Sequence, residues 1–237
     1  MQFIDAHCHL SPDTDFLSAF ARANSKGVVG CVVNSVHQYD WGKIAELAVS
    51  NTNIRGAIGI HPWIADAAPQ NLKSEMSAML DANPNLIVGE IGMDKTRDNF
   101  ARQETIFILM LEIAIKYKRI VNLHCVHAWG RVLEIFNTYR NELPPIIAHG
   151  FDGTSNAIDF DANLYFSYSP NIANPKYKKV HKSVLRVPKS KILIESDSDD
   201  LTNVITAADG LCATRHDISA MDVFHNAQEV FFNGQIA

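Results

Sequence analysis

The sequence predicts an α/β protein folded as a single (β/α)8 TIM barrel over residues 1–237, and three observations carry that expectation. Short apolar runs alternate with amphipathic stretches from end to end, the rhythm of successive strand–helix units. The apolar runs are rich in Ile, Val and Leu, as strands covered on both faces are. Histidines and carboxylates recur where those runs stop, and a barrel gathers its strand ends at one mouth. The alternative is an open doubly wound sheet, but no Gly-x-Gly-x-x-Gly turn follows the first run. A chain of 237 residues, 47% hydrophobic and 20% charged, can bury such a core as one unit.

Strands are expected at residues 3–9, 28–35, 54–61, 86–94, 120–125, 145–149, 164–169 and 192–197. Stretches between them, such as 98–118 and 128–141, read as helices. Over 174–188, Asn174 can accept from the first exposed N–H groups and Pro175 suits the first helical position. Tyr177, Val180, Val184 and Leu185 then recur at helical spacing, and Pro188 ends the run. Ser219 and Asp222 form a capping-box pattern ahead of Val223, Phe224, Ala227, Val230 and Phe231.

A net charge of -5 argues against a broad electrostatic footprint for nucleic acid, though not against a small phosphate pocket. The most apolar run, 105–111, is far shorter than the roughly 20 residues of a membrane span, so no membrane association is expected. The first residues carry no basic leader, which predicts no signal peptide. Cys8, Cys31, Cys125 and Cys212 are scattered without a Cys-x-x-Cys pair, as reduced thiols of a cytoplasmic protein would be. Nothing in the sequence points to an obligate protein partner.

The chemistry is expected at the strand ends: His7 and His9 on the first, His61 on the third, Glu90 on the fourth, then His124, His149 and Asp197. Side chains alternate along a strand, so His7 and His9 share a face about 6–7 Å apart while Cys8 points away. A lone strand histidine is more often a hydrogen-bonded core residue, and an acid at a strand end, such as Glu195 or Asp197, more often caps a helix. Six such groups besides His61 converging at one mouth point instead to metal. Four histidines and two carboxylates exceed one closed four-ligand site and suffice for two divalent ions with open positions. A bound divalent ion brings the pKa of its water near neutrality, which supplies a hydroxide nucleophile without an activated serine or cysteine. Asp197 could accept that proton as well as touch a metal.

Five segments carry a resemblance: Asp5-Ala6-His7-Cys8-His9, Gly59-Ile60-His61-Pro62, Gly89-Glu90-Ile91-Gly92-Met93-Asp94, His149-Gly150-Phe151-Asp152-Gly153 and Glu195-Ser196-Asp197. In this order they resemble the signature segments of TatD-type metal-dependent hydrolases, a branch of the amidohydrolase superfamily of TIM barrels. Gln103, Phe107, Leu111 and Ala114, with the late Asn226 and Phe231, resemble the family as well. The resemblance implies two divalent ions, zinc, magnesium or manganese, held by His7, His9, Glu90, His124, His149 and Asp197, with Glu90 bridging. It also implies phosphodiester hydrolysis, often on DNA ends, with His61 near the substrate phosphate.

The chain departs from the family pattern around the substrate. Val126 stands where members usually have an arginine, Lys95 replaces a common tyrosine and is taken here as a substrate contact, and Ser198-Asp199-Asp200-Leu201 replaces a proline-containing loop. Small or activated phosphodiesters are therefore expected to be cleaved more readily than DNA ends. A superfamily relative acting on an amide or lactone, and a non-catalytic adaptor stabilised by metal, are the alternatives. Lys176, Lys178, Lys179, Lys182 and Arg186 form either a solvated helix face or a phosphate track.

Overall fold

The computed structural model describes residues 1–13, 15–160 and 163–234. The strands are β1 (Phe3–His9), β2 (Val28–Asn34), β3 (Ile54–Ile58), β4 (Ile87–Asp94), β5 (Val121–Val126), β6 (Ile146–Ala148), β7 (Leu164–Tyr168) and β8 (Ile192–Ile194). They pair in sequence order, each parallel to the next. Two backbone bonds bring the ring back to β1: Asp197 N–H donates to His7 O at 3.0 Å and His9 N–H to Ser198 O at 3.1 Å. Helices α1 (Phe16–Asn24), α2 (Trp41–Ser50), α3 (Leu72–Ala82), α4 (Phe100–Tyr117), α5 (Trp129–Thr138), α6 (Ser155–Ile158), α7 (Lys178–Val184), α8 (Asn203–Thr214) and α9 (Ala220–Phe232) complete the expected TIM barrel. No described helix is long and apolar enough to cross a membrane.

Two apolar layers follow from the period-2 alternation of the strands. Outward residues such as Val33, Ile58, Ile91 and Leu123 pack against the helices. Ile4, Ala6, Val32, Ala57, Ile87, Ile147 and Leu193 form a second cluster with Phe224, Phe231 and Phe232 of α9. The Ser219–Asp222 capping box starts α9 as expected, and Asn226 Nδ2 donates to Lys189 O and Ile192 O at the start of β8. The helix is thereby fixed at the amino ends of the strands, and the carboxyl mouth stays open.

Several strands stop short of their sequence limits because side chains replace the ladder. Beyond Asn34, the Ser35 hydroxyl donates to Gly59 O and accepts from Gly59 N–H, so β2 and β3 end while their chains remain tied. Beyond Ile194, Ser196 N–H donates to the Asp5 carboxylate at 2.8 Å in place of a backbone carbonyl. The helix expected over 174–188 also differs. Asn174 caps only a local turn, accepting from Lys176 N–H, and α7 begins at Lys178 and ends at Val184. The preceding 3₁₀ turn, Pro170–Ala173, lies against Gly210 of α8, where an added Cβ would come within 2.7 Å of Ala173 N. That docking fixes the backbone up to Asn174 and delays the helix.

Candidate metal centre

The carboxyl mouth gathers every histidine and carboxylate expected as a ligand around Glu90, whose side chain is buried. A register shift in β1, where Asp5 and Cys8 oppose Cys31 and Val33 of β2, inserts one extra residue and re-aims the strand end. His7 and His9 then bring their Nε2 atoms 3.0 Å apart, while Cys8 turns outward and its thiol donates to Val32 O. Glu90 Oε2 lies 3.4 Å from His7 Nε2 and 3.7 Å from His9 Nε2, without a hydrogen-bond partner. On the other oxygen, His124 Nδ1, His149 Nε2 and His61 Nε2 stand 2.7, 2.8 and 3.2 Å from Oε1. Asp197, in the left-handed region at φ 48, points Oδ1 toward both first-strand imidazoles, 3.9 and 3.7 Å away.

Hydrogen bonds around these groups set which nitrogen offers a lone pair. Asn122 donates from Nδ2 to Ala6 O at 3.1 Å, so its Oδ1, 3.1 Å from His7 Nδ1, accepts a hydrogen bond from Nδ1–H and leaves His7 Nε2 free to ligate. His61 is different. Its Nδ1 accepts from Trp63 N–H, which puts the proton of the neutral ring on Nε2 and makes His61 a donor toward the site. His124 Nε2 faces Asp94 Oδ2 at 3.4 Å, leaving Nδ1 for the Glu90 side. His149 Nδ1 faces Glu195 Oε1 at 3.6 Å, and the same oxygen accepts from Gly150 N–H.

The charges respond to this crowding. Burial pushes the Glu90 carboxyl up, but the His149 and His7 imidazoles and bonds from His124 and His149 hold it well below the usual range. Burial opposes charge on His149, yet Glu90 and Glu195 raise it well above the ordinary imidazole value. His7 is lowered by burial and by His149. Asp197 is disfavoured as an anion by burial, but the bond from His9 and the charges of His149 and His7 bring it down to about 2. Asp5, wholly buried beneath the site, is pushed up to about 8 by desolvation.

A divalent ion fits this arrangement. His7 Nε2 and His9 Nε2 stand 3.0 Å apart beside a buried carboxylate oxygen that has no partner, a cluster that a shared proton or a bound cation would relieve. His7, His9 and Asp197 form one group of mutually close donor atoms, and His7, Glu90 and His149 a second. His61, Glu90 and His124 form another, though the His61 proton argues for a hydrogen-bonding role within it.

The cavity above these groups, about 340 Å3, is walled by His61, Trp63, Glu90, His124, His149 and Asp197 among others. Lys95 lies outside its lining, exposed on the turn after β4, with its backbone N–H on Val126 O. Lys176, Lys178 and Lys179 line a neighbouring cavity of about 390 Å3 that begins at Gly150, while Arg186 pairs with Asp159. The sequence reading missed Asn122, Asp94 and Trp63 as parts of the site, and Glu195 is buried beside His149 far from any helix start. An amide in the apolar run Val121-Asn122-Leu123, two residues before His124, was the available signal.

An eight-stranded parallel barrel with imidazoles and carboxylates converging at its carboxyl mouth defines the class of metal-dependent hydrolase barrels. The family profile described as TatD related DNase matches residues 4–216, so the chain belongs to that family. It is a metal-dependent hydrolase of ester bonds. The uncharacterized metal-dependent hydrolase YjjV of Escherichia coli K12 is 25% identical over 212 residues, covering 84% of this chain and 80% of the relative. A 3'-5' ssDNA/RNA exonuclease TatD from Citrobacter rodentium is 28% identical over 190 residues, covering 75% of this chain and 70% of its own. In fold, the crystal structure of YjjV superposes with a TM-score of 0.87 at 23% identity over 98% of both chains. A TatD-family hydrolase from Entamoeba histolytica does so at 0.82 and 17%, again over 98% of each.

Proposed function

We propose that this chain hydrolyses phosphodiesters of nucleic-acid origin with two divalent ions, zinc, magnesium or manganese, held on either side of Glu90. His7, His9 and Asp197 would hold one, His124 and His149 the other, with the Glu90 carboxylate shared. The observation that carries the reading is the Glu90 carboxylate itself, set between His7 and His9 at Oε2 and between His124 and His149 at Oε1. Bound ions would neutralise phosphoryl oxygens and acidify a water molecule. Asp197, ionised and with its side chain 42% exposed, would take a proton from water entering the cavity. His61 Nε2–H would donate to a phosphate oxygen, and Lys95 would meet only the parts of a substrate that reach past the rim. Relatives named as exonucleases of DNA and RNA support the nucleic-acid origin, and the Val126 and Asp199–Asp200 departures favour small diesters over long DNA. The free thiols of Cys8, Cys31 and Cys125, all buried, fit a reducing cytoplasm.

The test is turnover of bis(p-nitrophenyl) phosphate with added manganese or magnesium, alongside a lactone and an amide. Diester hydrolysis is expected, with Asp197→Asn retaining less than a tenth of it while remaining folded. An Asp197→Asn enzyme as active as the parent would remove Asp197 as the base, and turnover of the lactone alone would overturn the reading.

A further inference from the structure

Trp63 and Arg97 form a pair at the rim of the cavity that the metal chemistry does not use. Trp63 lies in the 3₁₀ turn Pro62–Ala67 after β3 and is 52% exposed, although it lines the same cavity as Glu90 and His124. It is nevertheless held. Its Nε1–H donates to Asp94 Oδ2 at 2.6 Å, and its ring meets the His61 ring edge-on at 4.9 Å between centroids. Asp94 in turn binds the Thr96 N–H and hydroxyl through Oδ1, shaping the turn that carries Arg97. The Arg97 guanidinium lies 4.3 Å from the Trp63 ring centroid, exposed and without an ion pair among the described residues. Asn99 Nδ2 on Asp66 Oδ2, at 2.9 Å, ties the two loops together.

Resting on the phosphodiesterase reading, we propose that Trp63 and Arg97 are the specificity-determining pair of this site, Trp63 stacking an unpaired nucleobase and Arg97 binding the phosphate beside it. An exposed indole fixed at the edge of a catalytic cavity offers a π-face to any base, and stacking of this kind is sequence-tolerant. The pair is ordered before substrate arrives, so little conformational freedom is lost on binding. A guanidinium with no carboxylate of its own has its fork of donors free for phosphate oxygens. Arg97 follows β4 on the loop beside the end of β5, where Val126 brings no charge. The cation thus reaches the mouth from the neighbouring loop.

The test uses the intact protein in magnesium, titrated with dAMP and with 2-deoxyribose 5-phosphate, its counterpart without a base. Affinities of the parent and every variant are read by isothermal titration calorimetry. The chain has 3 tryptophans, and Trp41 and Trp129 are buried, so quenching of exposed indole fluorescence in the parent reports Trp63. Binding of dAMP at least about tenfold tighter than the sugar phosphate is expected, with quenching. Trp63→Leu should erase that difference, Trp63→Phe should keep most of it, and Arg97→Gln should weaken both ligands about tenfold. Equal affinity of the parent protein for the two ligands, or unchanged binding by Arg97→Gln, would overturn the proposal. If bis(p-nitrophenyl) phosphate is hydrolysed while dAMP shows no preference, the pair fails and the phosphodiesterase reading stands. Preferential dAMP binding without diester turnover sinks that reading and leaves the pair as a nucleotide-binding site.

Discussion

Replacing Asn122 with alanine separates the support of His7 from its ligation. The amide is fully buried and makes two contacts at 3.1 Å, a donation to Ala6 O and an acceptance from His7 Nδ1. Asn122→Ala leaves a carbonyl and an imidazole N–H buried without partners, each costing about 1–3 kcal/mol. Together the loss is about 2–4 kcal/mol once local relaxation is allowed, a shift readable in a urea titration followed by circular dichroism. The metal site changes as well. Without the Oδ1 acceptor nothing holds the proton on Nδ1, so the free nitrogen and ring angle of His7 are no longer fixed. Loss of such a supporting bond lowers metal affinity about 10–100-fold, measured by chelator competition under conditions where the variant is folded. Asn122→Asp keeps the acceptor and should recover most of the affinity while losing the bond to Ala6 O. Unchanged affinity in the folded alanine variant would show that His7 Nε2 does not ligate.

Metal binding should weaken as the pH falls. Glu90 and Glu195 raise the His149 imidazole, so an incoming ion must displace its proton. In the metal-free protein this raised value favours folding below the ordinary imidazole pKa, and the benefit fades as pH rises through the folded value. Calorimetry at pH 7 in buffers of different ionisation enthalpy should find net proton release on metal binding, and none released would contradict the assignment. Gly92→Ala should destabilise by more than about 3 kcal/mol in urea. Gly92 has φ +152, and an added Cβ would sit 1.8 Å from His124 O, so an alanine variant as stable as the parent would contradict the described β4–β5 contact.

Most of the barrel was legible because each strand is a short Ile-, Val- and Leu-rich run, and its ligands because they interrupt such runs at one end. The limits of β2, β3 and β8 were not, because Ser35 and Asp5 side chains stand in for backbone partners contributed by distant segments. Asn174 shows the ambiguity of local signals, since an Asx turn and a helix cap use the same side-chain acceptor. Residues that tune the site lay further from view. Asn122 acts on His7 across 115 positions of sequence, and Glu195 meets Gly150 across 45. Trp63 and Arg97 meet only because neighbouring strands deliver their loops to one rim, a relation that pattern along a single segment does not encode.

The central claim, a paired metal centre organised by Glu90, is tested most directly by anomalous diffraction from crystals soaked in manganese. Two peaks are expected, one within bonding distance of His7 and His9 and one of His124 and His149, each touching a Glu90 oxygen. Maps without a peak at the mouth, or with ions that leave Glu90 uncoordinated, would contradict the account.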